Sequence, residues 1–309
     1  MGEVLVSGVT VIRDGVRLGY PFLEAVRSAL PICEEYVVVA GRGSDGTLDA
    51  LHALAAEEPK VRVVESEWSS RVTPAKAVLA QQTNIGLHLA RGAWALVLQG
   101  NEVLHERDLP RLRAMLEEYA DDAETEALLL ERLTFFVDYE HVVATYPERF
   151  KWTARAVKPH VGMHAVRDAM NFAVFDGWST RGRNPRARDT GVDLYRYGLV
   201  HDAESYARKL ADAAHLAAVG QRAEEQVLQH RYPRAHVARF EGTHPTVMVE
   251  RIAAHAIDFD PATARVEETR AERRRRRETA WYLKRGFPKW RHTRYKLLGD
   301  YAEKPRESS

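Results

Sequence analysis

The sequence predicts an α/β fold built on a mainly parallel sheet. Three observations predict it. Short apolar, β-branched runs alternate with helical patterns through residues 1–118. No run approaches the roughly 18 consecutive apolar residues of a membrane span. The 309 residues, 45% hydrophobic and 29% charged, have the composition of an ordinary globular chain large enough for a body and an appended module.

Val4–Ile12 reads as a buried strand, since parallel strands covered on both faces are continuously apolar rather than alternating. Phe22, Val26, Ala29 and Leu30 mark one helical face that ends at Pro31. Tyr36–Ala40 is a second strand, followed at once by the turn Gly41-Arg42-Gly43-Ser44-Asp45-Gly46. Leu48, Leu51 and Ala55 give a second helix, Val61–Val64 a third strand and Ala75–Ala90 a third helix. Trp94–Leu98 is a fourth strand running into Gln99-Gly100-Asn101-Glu102, and Leu109, Leu112, Met115 and Leu116 stripe the next helix. Such βαβ alternation places helices on both sheet faces and ligands outside the carboxyl ends of the strands. The turns after strands two and four are therefore where chemistry is expected.

The middle third changes character. Ala127–Phe136, Thr153–Val157, His164–Arg167 and Val192–Val200 read as strands, with 176–189, rich in Gly, Arg and Asn, as a loop. Beyond His201 the pattern is helical, and Asp260-Pro261 punctuates a linker near 259–263. The expected organisation is a catalytic body over 1–200 and a helical, basic extension over 201–309. The net charge of +1 conceals an asymmetry. Residues 267–309 hold fourteen Lys and Arg against seven Asp and Glu, so this tail carries +7 and the rest −6. Arg273–Arg277 followed by Trp281, Tyr282, Phe287, Trp290 and Tyr295 suits packing on the body or peripheral contact with an anionic membrane surface. Nucleic acid is the weakest of the partners considered. The amino terminus lacks a secretory layout, because Arg13 and Asp14 interrupt the first apolar run, and the single Cys33 excludes an internal disulfide. Both fit a cytoplasmic protein.

Several ordered motifs together resemble family 2 glycosyltransferases of the GT-A fold. They are Ser28-Ala29-Leu30-Pro31, Ser44-Asp45-Gly46-Thr47, Asn84 before Ala90-Arg91-Gly92-Ala93-Trp94, Leu98-Gln99-Gly100-Asn101-Glu102, and Tyr195-Arg196-Tyr197-Gly198. The resemblance covers about 1–215. It implies transfer of a sugar from a UDP-, GDP- or dTDP-sugar to a glycan, lipid or protein acceptor, with inversion. It also implies that Thr10, Asp45, Asn84, Gln99, Gly100, Asn101 and Glu102 contact the donor. Asp45 has a plain structural alternative, shaping its turn and capping the helix at Thr47.

Two departures matter. Where the family carries Asp-x-Asp, whose second carboxylate binds a divalent cation bridging the diphosphate, this chain has the amides Gln99 and Asn101. Where a family histidine completes the metal site, it has Arg196. A guanidinium about 4 Å from a divalent ion repels it by roughly 8 kcal/mol at an effective dielectric of about 20. The expectation is a weak magnesium or manganese site at Asn101 or none, with Arg196 clamping the diphosphate itself. The alternative is a chain that keeps the fold but serves as a binding or scaffold protein. Asp168, in Val166-Arg167-Asp168-Ala169, is the candidate base, with Asp138, Glu140 and Asp176 as rivals. His160 and His164, four apart, are a candidate metal pair without a third ligand nearby. No nucleophile elbow and no glycine-rich phosphate loop is present, which argues against serine hydrolases, NTPases and dehydrogenases.

Overall fold

The computed structural model describes residues 5–69, 71–72, 77–145, 151–177, 180–202, 205–207, 228, 231–285 and 294–302. The first half follows the predicted alternation: β1 Val6–Ile12, α1 Phe22–Ala29, β2 Glu35–Gly41, α2 Thr47–Glu57, β3 Val61–Ser66, α3 Ala77–Leu89, β4 Trp94–Gln99, β5 Glu102–Leu104 and α4 Leu109–Glu118. The second half is strand-rich: β6 Ala127–Thr134, β7 His141–Val143, β8 Trp152–Val157, β9 Met163–Val166, β10 Asn171–Val174, β11 Arg186–Arg196, β12 Val237–Arg239 and β13 Lys296–Leu297.

One nine-stranded, mostly parallel sheet runs in the order β13-β11-β6-β8-β4-β1-β2-β3, with β5 paired to β11. β1 pairs in parallel with both β2 and β4, so the chain winds outward to β3 and then returns to the other side of β1. That reversal makes the carboxyl ends of β1 and β4 a topological switch point, where open α/β sheets leave a crevice. β8 enters antiparallel between β4 and β6.

Side chains alternate between the faces, as the pleat requires. Tyr36, Val38, Ala40, Trp94, Leu96 and Leu98 pack with α1, α2 and α4 in one buried layer. Val9, Ala95 and Val97 pack on the other face with α3 and the β9–β10 hairpin. Burial on both faces is the physical reason these strands carry no polar alternation.

Three expectations need correction. The loop expected over 176–189 is shorter, because Arg186–Asp189 already belong to β11, with Ala187–Asp189 pairing with Ala127–Leu129 of β6. The linker expected near 259–263 is a short packed turn: Asp260 Oδ1 accepts from Ala262 N at 2.8 Å to cap it, and Phe259 is buried edge-on against Phe136. The region after 201 is not purely helical, since β12 pairs with β7 and β13 adds to the main sheet beside β11. Most of the helix expected directly after His201, with Leu210 and Ala214, lies outside the described residues, as do Phe287 and Trp290 of the tail.

Candidate functional site at the strand tips

A cavity of about 490 Å³ opens at the switch point, lined by the ends of β1 and β4, by Arg132 and Arg155 of β6 and β8, and by Asp168 and Arg196. Seven of its lining side chains are cationic (Arg13, Arg17, Arg132, Lys151, Arg155, Arg196 and Arg231), and two are carboxylates, Asp14 and Asp168. A low-dielectric cleft with such an excess of positive charge focuses potential on an anionic ligand.

The centre of the site is made by a register. After β4 the chain turns at Gly100-Asn101 into β5, which runs antiparallel to the end of β11 and pairs Glu102 with Arg196. Tyr197 N donates to Asn101 O at 2.9 Å and fixes the turn. A Cβ placed on Gly198 would lie 2.7 Å from Asn101 Nδ2 and 3.2 Å from Arg196 Cζ, so both side chains rest on the bare α-carbon of that glycine. The amide and the guanidinium are thereby brought together at the cavity wall. Asn101 Oδ1 and Arg196 Nε are both buried and, among the described residues, make no hydrogen bond. Buried polar atoms are rarely left unsatisfied, and at a cavity wall they are what a polar ligand completes. Gly100 answers to a second close approach, since a Cβ there would sit 2.7 Å from Ile12 Cδ1.

Glu102 points away from this work. Its carboxylate accepts from Arg155 Nε at 2.8 Å and Arg155 Nη2 at 2.7 Å, and from Gln99 N at 3.0 Å, with both partners of the ion pair fully buried. Burial pushes its pKa up, but the Arg155 charge and these hydrogen bonds outweigh that and hold it below the usual carboxylate range. Gln99 lines the cavity and donates through Nε2 to Met170 Sδ at 3.0 Å, which ties the tip of β4 to the turn carrying Asp168.

Asp168 sits in the β9–β10 turn between Arg167 and Ala169, each at φ 59°. Non-glycine residues in this left-handed region are uncommon, and two of them flanking one side chain aim it with little freedom. Asp168 reaches the cavity and, among the described residues, makes no ion pair. The rivals Asp138, Glu140 and Asp176 do not line the cavity. Asp138 instead accepts from His141 Nδ1 at 2.9 Å, and Glu140 pairs with Arg239 at 3.5 Å on the surface.

The remaining predicted contacts lie elsewhere. Thr10 is buried within β1, bonded to the Tyr36 hydroxyl at 2.9 Å and donating to Leu98 O at 3.0 Å. Asn84 clamps the backbone of Ala165 with both amide atoms, donating at 3.1 Å and accepting at 2.7 Å, so it positions the hairpin rather than lining the cavity. Asp45 accepts from Arg17 N at 2.8 Å and from Thr47 N and Oγ1 at 3.1 and 2.9 Å. Burial acts to raise its pKa, but these bonds lower it. It shapes the turn into α2 and secures residues 13–19, whose Arg13, Asp14 and Arg17 form one cavity wall.

Sequence reasoning missed Arg13, Arg132, Lys151, Arg155 and Trp68, all of which line the cavity. A signal existed. Arg155 is the one charged residue of Trp152–Val157, and a lone cation in such a buried strand must be paired or face a polar cavity. Trp68 lies against the end of β2, where a Cβ on Gly41 would be 2.6 Å from its Nε1, and that nitrogen is buried with no hydrogen-bond partner among the described residues.

A hard divalent cation takes carboxylates and phosphate oxygens. At the β4 tip Gln99 and Asn101 offer neutral amide oxygens, and Glu102 is held by Arg155. Among the described residues no group of three or more His, Cys, Asp or Glu is arranged to hold a metal. His160 bonds Gly92 O at 3.2 Å and His164 bonds Gly162 O at 3.1 Å, so the pair is occupied separately.

No protein-family model matches the sequence, and no curated protein does. Among solved structures the chain is similar to the mannosyltransferase PcManGT from Pyrobaculum calidifontis, in complex with GDP-Man and Mn2+. That match has a TM-score of 0.33 and 20% identity, and it covers 42% of this chain and 36% of that one. It is also similar to S. aureus TarS 1–349 in complex with UDP (TM-score 0.39, 13% identity, 73% of this chain and 69% of that one). A third similar structure is the 4-diphosphocytidyl-2C-methyl-D-erythritol synthase of Anaerococcus prevotii (TM-score 0.32, 11% identity, 50% and 70%). The match thus spans little more than a third of the mannosyltransferase's own length.

Proposed function

We propose that the cavity holds a nucleotide-diphosphate sugar and that the chain is a glycosyltransferase, inverting and independent of a divalent cation. The observation that carries this reading is the meeting of Arg196 and Asn101 on Gly198 at the strand tips, within a cavity whose lining cations outnumber its carboxylates. In this mechanism the diphosphate lies against Arg196, whose guanidinium neutralises the charge that develops on the leaving oxygen, and Asn101 orients it. Asp168 takes the proton of the acceptor hydroxyl as that oxygen attacks the anomeric carbon opposite the departing diphosphate. One C–O bond forms, one breaks, and configuration inverts. The acceptor, whether glycan, lipid or protein, and a cytoplasmic setting belong to the same proposal.

The ion pair that removes Glu102 from the site favours a second reading, a protein that binds a sugar nucleotide without turning it over. Isothermal titration with UDP-glucose, GDP-mannose and dTDP-glucose, in EDTA and in manganese, is the first test. The expected result is binding of one of them that manganese does not strengthen, weakened about 10- to 100-fold by Arg196→Ala, the usual worth of a charge-assisted hydrogen bond. Binding that requires manganese would overturn the arginine clamp, and no binding at all would overturn the donor site. Release of free nucleotide on adding acceptor, abolished by Asp168→Asn, separates the transferase from the silent binder.

A further inference from the structure

The basic helix Arg270–Arg285 has two chemically distinct sides. Its inner side is anchored: Glu272 pairs with Arg265, Arg276 Nε reaches Glu268 at 2.9 Å, and Thr279 is buried. His236 Nε2 meets the same Glu268 at 2.8 Å, so the helix is fixed to the β12 region by an ionic network. Its outer side is a stripe. Arg270, Arg274, Arg277, Trp281 and Lys284 follow at spacings of four, three, four and three, which an α-helix of 3.6 residues per turn stacks on one face. All five are exposed, and Trp281 leaves 51% of its surface in water. A tryptophan so exposed among four cations, between Arg277 and Lys284, is an unusual element for a solvated face.

We propose that this outer face docks on an anionic lipid bilayer. Charge complementarity is the first reason, since the tail from 267 carries +7 while the rest of the chain carries −6. Near a negative surface the body is repelled and the helix attracted, which orients the molecule with this face down. The second reason is shape. The stripe lies on the exposed face of a helix and offers one large aromatic, which can enter the interface at headgroup depth. Single-stranded nucleic acid is held in grooves, by several aromatics on which successive bases stack. The inference does not rest on the donor site.

The test is flotation of the full chain with vesicles of pure phosphatidylcholine and of phosphatidylcholine with about 30% phosphatidylglycerol. The expected result is binding to the anionic vesicles alone, lost at high salt, with a blue shift of tryptophan fluorescence that Trp281→Ala removes. The quadruple variant R270Q/R274Q/R277Q/K284Q should bind on the order of several hundredfold more weakly, at roughly fivefold per basic residue. Its circular dichroism and thermal transition should match the parent, since all four side chains are exposed. Equal partition on neutral and anionic vesicles would overturn the proposal, as would unchanged flotation of the quadruple variant. Displacement of the protein from vesicles by a single-stranded oligonucleotide at lower concentration than by soluble anionic lipid would replace it with a nucleic-acid surface.

Discussion

Glu102 shows how a residue's neighbours decide its role. It belongs to the stretch that resembles a metal motif, yet its carboxylate and the Arg155 guanidinium form a pair with 0% and 1% side-chain exposure. Removing one partner strands a buried charge, so Glu102→Gln should cost about 3–5 kcal/mol in urea unfolding. Glu102→Leu with Arg155→Met should restore most of it, because apolar replacement of both removes the desolvation cost as well as the attraction. The sign of the pH dependence follows from the depressed pKa. The pair's stabilisation is present above the unfolded carboxylate value of about 4.3 and is lost as pH falls below it. Wild-type stability should therefore drop more steeply than that of Glu102→Gln between about pH 5 and 3. If the two slopes coincide, Glu102 is not the group that titrates. The identity of the partner was not legible locally, since Arg155 lies on a strand whose place beside β4 leaves no trace in the periodicity of either segment. Arg196 was legible, because its ordered context pointed to the strand end where it stands. Cys33 gives a simpler case: burial, with Glu34 nearby, pushes its thiol up to about 12. Iodoacetamide should label it only as the chain unfolds, which makes alkylation a probe of global opening.

At the scale of elements, the β9–β10 hairpin depends on one side chain of α3. Asn84 holds Ala165 by two hydrogen bonds, and Gln99 holds Met170, so the turn that presents Asp168 is tied at both ends. Asn84→Ala should lower stability by about 1–2 kcal/mol and raise amide exchange over 163–174 while leaving β1 and β2 protected. Uniform exchange changes would mean that the clamp supports the whole sheet instead. The basic helix has its own acid limit. Glu268 and Glu272 are each held at about 2, first by hydrogen bonds from Arg276 and Arg265 respectively. Their contribution is complete above the ordinary glutamate range and disappears as pH falls toward 2, so Trp281 fluorescence should change over that interval before the body unfolds. Strand content was readable where apolar runs are continuous. It was missed at Arg186-Ala187-Arg188-Asp189, where only Ala187 carries the apolar signal, while Arg186 bonds Glu126 and Arg188 bonds Thr125 across the strand pair. Charged side chains that find partners on a neighbouring strand look like loop in one dimension.

At the scale of the whole molecule, the last described segment of the chain adds a strand to the main sheet. β13 pairs in parallel with β11 at Arg186 and Ala187. Tyr295 is buried in the layer beneath α3, its hydroxyl 3.0 Å from that of Tyr301, and Tyr301 stacks on Trp152 with ring centroids 4.1 Å apart. Ala302 N donates to Asp189 Oδ2 at 2.9 Å. Trp152 opens β8, the strand that carries Arg155 into the cavity, so the segment 294–302 supports the site from behind without touching it. Sequence periodicity assigns such a segment to a tail, because its contacts lie more than a hundred residues away. A chain ending at residue 293 should therefore be destabilised as a whole. Tyr295→Ala alone should cost about 3 kcal/mol, as aromatic truncations in packed interiors do, and the truncated chain should lose at least as much. Thermal unfolding of both, together with titration of the donor, would separate support from independence. An extension that merely hangs from the body would leave the transition temperature and the affinity unchanged on truncation. A closing strand would lower the first in both variants, and would weaken donor binding most where β8 is left uncovered.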